Sequence, residues 1–146
     1  MKKLFLDTNI IIDLLSERQP FYSEAARVFS LADKKEIQIC VSALSFATTN
    51  YILLQSKKSE EAKQILRKLK LIIEVLSLDD KIVELALNDS DFKDFEDGLQ
   101  YYTALENGLD AIITRNLKDF RKARIPVMTA DQYMQTHKYK LPVANK

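Results

Sequence analysis

Glycine, proline, cysteine and histidine are scarce in this sequence: two, three, one and one among 146 residues. With only Gly98 and Gly108, the chain has no glycine-rich loop able to cradle nucleotide phosphates, and little room for flexible linkers or low complexity. A lone cysteine, Cys40, cannot close an internal disulfide, so a reducing compartment fits best. Long apolar runs are missing too. Those at residues 10–12 and 71–73 fall far short of the ~20 residues that cross a bilayer. Lys2 and Lys3 lead into a run that Asp7 and Asp13 interrupt, which is no signal-peptide core. The expectation is a cytoplasmic protein with no membrane partner. Neither sign of charge dominates: 22 basic against 21 acidic residues leave a net charge of +1, so bulk charge gives no argument for nucleic-acid binding.

What is present is an ordinary globular composition, 47% hydrophobic. No repeat or composition break divides it, so residues 1–146 read as one domain, with 136–146 as a loose tail. The charges come in blocks. Eight acids face two lysines between Ser77 and Asp97. Six basic residues face two acids from Lys57 to Lys70, and five face one from Arg115 to Arg124. Such runs are usually solvated faces.

Short apolar stretches at residues 4–6, 37–41, 71–75 and 111–113 read as buried strands, and 126–128 as a fifth. Helical spacing follows most of them. Asn9 is placed to cap a helix over 10–15 and Ser42 to cap another, on which Leu44, Ala47, Tyr51 and Leu54 form a stripe. A helix over about 95–107 ends at Gly108, where a left-handed residue is wanted. A last short helix covers 130–136. Strands alternating with helices predict an α/β fold, a three-layer α/β/α sandwich around a parallel sheet of four to five strands.

In such a sheet, ligands bind beyond the carboxyl ends of the strands, where strand order reverses. Asp7, Ser42, Asn116 and Asp119 follow strands, and Asp97 starts the helix leading into the fourth. Three carboxylates brought together repel unless protonated or joined by a cation. Oxygen donors without a nearby His or Cys favour Mg2+ or Mn2+ over zinc. An ion held that way can activate water against a phosphodiester.

Residues 4–13, Leu-Phe-Leu-Asp-Thr-Asn-Ile-Ile-Ile-Asp, resemble the first motif of the PIN-domain family. Val41-Ser-Ala-Leu-Ser-Phe, Asp94-Phe-Glu-Asp-Gly-Leu-Gln and Ile113-Thr-Arg-Asn-Leu-Lys-Asp-Phe resemble its later segments in order and spacing, from Leu4 to about Tyr133. Each is weak alone, and four in register are specific. The resemblance implies a metal-dependent endoribonuclease in which Asp7, Asp97 and Asp119 are catalytic and hold the metal. Asn9, Thr48, Glu96 and Asn116 would support the site, and Arg115 and Lys118 would meet RNA phosphates. Small members of the family are commonly toxins of toxin–antitoxin pairs, so the resemblance also implies a cognate antitoxin and a homodimer.

One position departs from the family. It usually places a glutamate on the helix after the second strand, six residues beyond the serine; counted from Ser42 that is Thr48, and no acid occurs between Glu36 and Ser59. A threonine brings no charge. This keeps a second reading open, a catalytically degenerate module that binds RNA or a partner. A phosphatase using Asp7 as nucleophile wants an acid at position 9, where Asn9 stands. A phospho-acceptor module wants a central-strand aspartate with a lysine opposite.

Overall fold

Residues Lys2–Leu6 form β1, the middle strand of a five-stranded parallel sheet in a computed structural model that describes residues 1–140. Leu4, Phe5 and Leu6 are all buried, as a strand covered on both faces requires. The other strands are β2 (Ile37–Ser42), β3 (Ile73–Leu76), β4 (Ala111–Ile113) and β5 (Val127–Met128). They lie in the order β3-β2-β1-β4-β5. Among the described residues the helices are α1 (Thr8–Leu15), α2 (Tyr22–Asp33), α3 (Ala43–Leu53), α4 (Ser59–Lys70), α5 (Asp80–Leu87), α6 (Phe95–Glu106) and α7 (Ala130–Lys140), with a 3-10 turn at Leu117–Phe120.

The chain grows outward from β1 through β2 and β3, then returns to the other side of β1 for β4 and β5. Right-handed crossovers in opposite directions put their helices on opposite faces, which yields the expected three layers. Side-chain alternation shows both cores. Leu4, Leu6, Ile39, Val41, Ala111 and Ile113 join α1, α2 and α7 on one face. Phe5, Cys40 and Ile112 meet Tyr101, Ala104 and Phe120 on the other. β1 pairs with β4 in the register Leu4↔Ala111, Phe5↔Ile112 and Leu6↔Ile113, so the reversal of strand order falls between these two strands.

Three expectations are corrected. The α1 cap is Asp7, whose carboxylate accepts from the Thr8 amide, and Asn9 lies inside the helix. The α3 stripe of Leu44, Ala47, Tyr51 and Leu54 faces outward: Leu44 is half-buried, Tyr51 is 69% exposed and Leu54 44% exposed, while Ser45, Thr49 and Leu53 are buried. Apolar residues ring α3 all round, so periodicity singled out no face, and the small polar side chains turned to the sheet's polar edge. The last helix runs to Lys140, through the first part of the segment expected to be a loose tail. Residues 141–146 lie outside the described part. Gly108 has φ of +64°, as its position after α6 requires.

Candidate active site

β1 ends where its last backbone pairing meets the end of β4: the Asp7 amide donates to the Ile113 carbonyl at 3.0 Å. Extended backbone at Asp7 turns there into α1, so one carboxylate caps the helix and faces the carboxyl edge of the sheet. Oδ1 of Asp7 accepts from the Thr8 amide at 2.8 Å and from Gln100 Nε2 at 3.4 Å. Oδ2 accepts from Thr114 Oγ1 at 2.8 Å and from Asn9 Nδ2 at 3.5 Å. Burial pushes the Asp7 carboxyl above its ordinary value, hydrogen bonds from Thr114, Gln100 and the Thr8 amide pull it back, and the Asp119 charge adds to the rise.

α6 brings the second acid. Asp94 caps this helix, accepting from the amides of Glu96 and Asp97 at 2.8 and 3.4 Å. Capping is thus taken by Asp94, and the half-buried carboxyl of Asp97 is left to the cleft. Burial, then the charges of Asp94, Asp7, Asp119 and Glu96 in that order, push it up to about 7. Those charges define the cluster: Asp7 from β1, Asp97 from α6 and Asp119 from the 3-10 turn share one edge of the sheet. Asp119 is exposed on that turn. Among the described residues, none of these three acids enters an ion pair with a basic side chain.

An open cleft of about 320 Å³ lies over Asp94, Asp97 and Asp119, with Lys118, Arg121 and Lys122 on its rim. Among the described residues, no three of His, Cys, Asp and Glu stand close enough to close on one ion. The donor set still fits magnesium or manganese, because such ions are commonly held through one or two carboxylates and keep several waters. Uncompensated oxygen charge with no His or Cys beside it suits a hard divalent cation and disfavours zinc.

The remaining expected residues divide. Asn9 belongs to the centre, bonding Asp7 and accepting from the Arg115 amide at 3.4 Å. Glu96 is exposed and acts on Asp97 through its charge alone. Asn116 is exposed and its backbone amide donates to Thr114 Oγ1 at 3.1 Å. Thr48 is half-buried, whereas the α3 hydroxyl that touches the centre is Ser45 Oγ, 2.7 Å from Thr8 Oγ1. Lys118 lines the cleft. Arg115 does not. Its guanidinium grips the fully buried Asp13 carboxylate, Nε at 2.7 Å and Nη2 at 3.2 Å, and lies 4.1 Å from the centre of the Phe21 ring. The need to neutralise a buried carboxylate outweighs any pull toward the cleft.

Sequence reasoning missed Thr8, Ser45, Gln100 and Thr114, which surround Asp7. One signal was available for Gln100: it sits three residues after Asp97 and therefore on the same helix face.

Comparison with known proteins bears on the chain as a whole. A family model described as PIN domain matches residues 3–118, which stops one residue short of Asp119. Ribonuclease VapC1 of Aquifex aeolicus is 30% identical over 140 residues, covering 92% of this chain and 94% of that protein. A chain in a toxin-antitoxin complex from Klebsiella pneumoniae superposes with a TM-score of 0.66 at 26% identity, over 87% of this chain and 97% of that one. A chain of VapBC-1 from nontypeable Haemophilus influenzae gives a TM-score of 0.68 at 19% identity, over 88% and 98%, a likeness of fold.

Proposed function

The chain belongs to the PIN-domain family, and on that premise we propose that it is a metal-dependent endoribonuclease, the toxin of a toxin–antitoxin pair. The observation that carries the reading is that the Asp97 carboxyl is raised by the charges of Asp7 and Asp119 along the edge where strand order reverses, and that none of the three has a basic partner among the described residues. The similarity to a ribonuclease and to a toxin-antitoxin complex supports it. In this reading Asp7 and Asp97 hold Mg2+ or Mn2+, with Asp119 beside them. Bound there, the ion supplies Lewis acidity toward a phosphodiester oxygen and toward the attacking water. Asn9 and Thr114 hold the Asp7 carboxylate in place, Glu96 adds to the field at Asp97, and Asn116 shapes the turn that presents Asp119. Lys118 on the rim meets the phosphate backbone, together with Arg121 and Lys122. The single cysteine, buried in β2, suits a reduced cytoplasm. No described helix is long and apolar enough to cross a membrane.

A second copy of the chain is the proposed cover for the outward face of α3. No charged residue lies between Glu36 and Lys57, so this exposed helix offers only Ala, Asn, Tyr and Leu outward. A two-fold interface sets a face against itself, and an uncharged one meets no repulsion there. α3 is flanked by α4, with Lys63, Arg67 and Lys70 beside Phe46, and by α5, whose Val83 packs against the same buried cluster as Leu44. A two-fold axis parallel to α3 brings the basic flank of one copy to the α5 side of the other, which exposes Asp80 and Glu84.

Mixed RNAs incubated with manganese test the nuclease reading. Cleavage is expected with the ion and lost with chelator or with Asp7→Asn. Cleavage indifferent to chelator, or none from the parent with manganese, overturns it. One observation favours the rival binding module: α3 carries no carboxylate at Thr48 or elsewhere. RNA retained on a filter but left intact would select it.

A further inference from the structure

Gln100 is a polar side chain placed where a core residue would be expected. It lies on the inner face of α6, 3% exposed, between Leu99 and Tyr101 of two apolar clusters. An amide in such surroundings is costly unless every polar atom finds a partner. Here each does. Oε1 accepts from Ser42 Oγ at 2.6 Å. Nε2 lies 2.9 Å from Ser45 Oγ, 3.3 Å from Thr8 Oγ1 and 3.4 Å from Asp7 Oδ1, and donates toward them.

The partners belong to three chain segments. Ser42 caps α3, accepting from the Ser45 amide at 3.2 Å; Asp7 caps α1; Gln100 lies one turn beyond Asp97 on α6. One planar amide ties the starts of α1 and α3 to the inner face of α6. Its orientation is fixed by chemistry. The Asp7 carboxylate only accepts, so the NH2 end must face it. The carbonyl end must then face Ser42, whose hydroxyl has no choice but to donate. The reverse orientation would set a carbonyl dipole against a carboxylate.

We propose that Gln100 is a positioning residue that presets the Asp7 carboxylate for its cation, with Ser42 holding the amide in the required orientation. The inference rests on the metal-site reading above. Packing alone would not call for an amide at this position, since methionine of similar length fills it without unsatisfied groups of its own. Fixing the direction of one carboxylate oxygen does call for one. Partners one step removed from a metal commonly contribute 10- to 100-fold in affinity by orienting the ligand itself.

Two variants test the assignment by manganese affinity, measured by calorimetry on the whole chain, with melting in chelator as the check on folding. Gln100→Met keeps the length and removes the amide. Ser42→Ala keeps the Gln100 and Asp7 side chains and removes the hydroxyl that orients the amide, together with the α3 cap, whose loss the melt in chelator reads. Manganese affinity is expected to fall at least about tenfold in Gln100→Met. Ser42→Ala is expected to move the same way by a smaller factor, and RNA KM at saturating manganese should stay near the parent value in both. Affinity within twofold of the parent in a folded Gln100→Met protein overturns the proposal, as does a parent that binds no manganese. If Gln100→Met does not fold, Ser42→Ala decides by the same criterion. RNA cleavage by the parent decides the nuclease reading separately, so a parent that cleaves with manganese while Gln100→Met binds it unchanged fails this proposal alone.

Discussion

A carboxyl group pushed up to about 7 by burial and by four like charges gives the folded state a preference for the proton. Unfolded, the same aspartate releases its proton near pH 4, so between about pH 4 and 7 the folded chain binds more protons than the unfolded one. The contribution of Asp97 is therefore fully present below about pH 4 and is lost as pH rises through 7. Metal-free protein is expected to melt progressively lower across that window. Asp97→Asn removes the late-appearing charge and should melt above the parent in chelator at pH 8, the difference shrinking toward pH 5. Magnesium at a hundred times its dissociation constant should stabilise the parent by about 2.7 kcal/mol, or roughly 5 to 10 °C, and the variant by far less. A parent indifferent to both magnesium and manganese in calorimetric melts would reduce Asp97 to a surface acid. The two basic candidates separate as sharply. Lys118→Ala should weaken binding to all RNA sequences alike and lower the salt slope by about 1, read from titrations at several salt concentrations. Arg115→Ala strands a buried carboxylate and should cost about 3 kcal/mol in denaturant melts. At this scale the chain revealed what its local pattern carries: an acid directly after a buried strand, an acid at a helix start. Gln100 and Thr114 stayed hidden because their partners lie 58 and 107 residues away.

Helix α3 is the element on which reading and structure part. Strands were legible because a strand covered on both faces is apolar along its whole length, as Leu4, Phe5 and Leu6 are. α3 carries apolar residues on every side, and the residues it buries are Ser45, Thr49 and Leu53. No period could announce that reversal, since only the contact with Thr8 and Gln100 makes a serine the inward residue. Two substitutions one position apart test the placement. Thr48→Glu puts a carboxylate on a half-buried flank of the helix, three residues beyond Ser45, and should tighten manganese binding in calorimetry. Thr49→Glu puts it at a position only 1% exposed whose hydroxyl already lacks a partner. An unpaired charge there should destabilise by several kcal/mol in thermal melts. Equal tolerance of both would mean that α3 is rotated from the orientation described.

The outward face of α3 carries no charge, and a second copy is its proposed cover. Tyr51→Lys places two like charges near a two-fold axis and removes an aromatic anchor. Loss of about 2 kcal/mol, roughly 30-fold in the dissociation constant, is expected in sedimentation at several concentrations. A parent that sediments as a monomer at every concentration discards the interface. The pairing of β1 with β4 also has a bearing on how the protein is made. Asp7 is synthesised well before Ile113, which anchors its backbone, and Thr114, which anchors its carboxylate. A ribosome adding 5–20 residues per second needs roughly 5 to 20 s to travel from one to the other. Throughout that interval the growing polypeptide carries the first acid without its anchor, and for most of it without Asp97. A polypeptide that stops between Asp7 and Ile113 therefore holds an aspartate whose backbone and side-chain anchors are both missing.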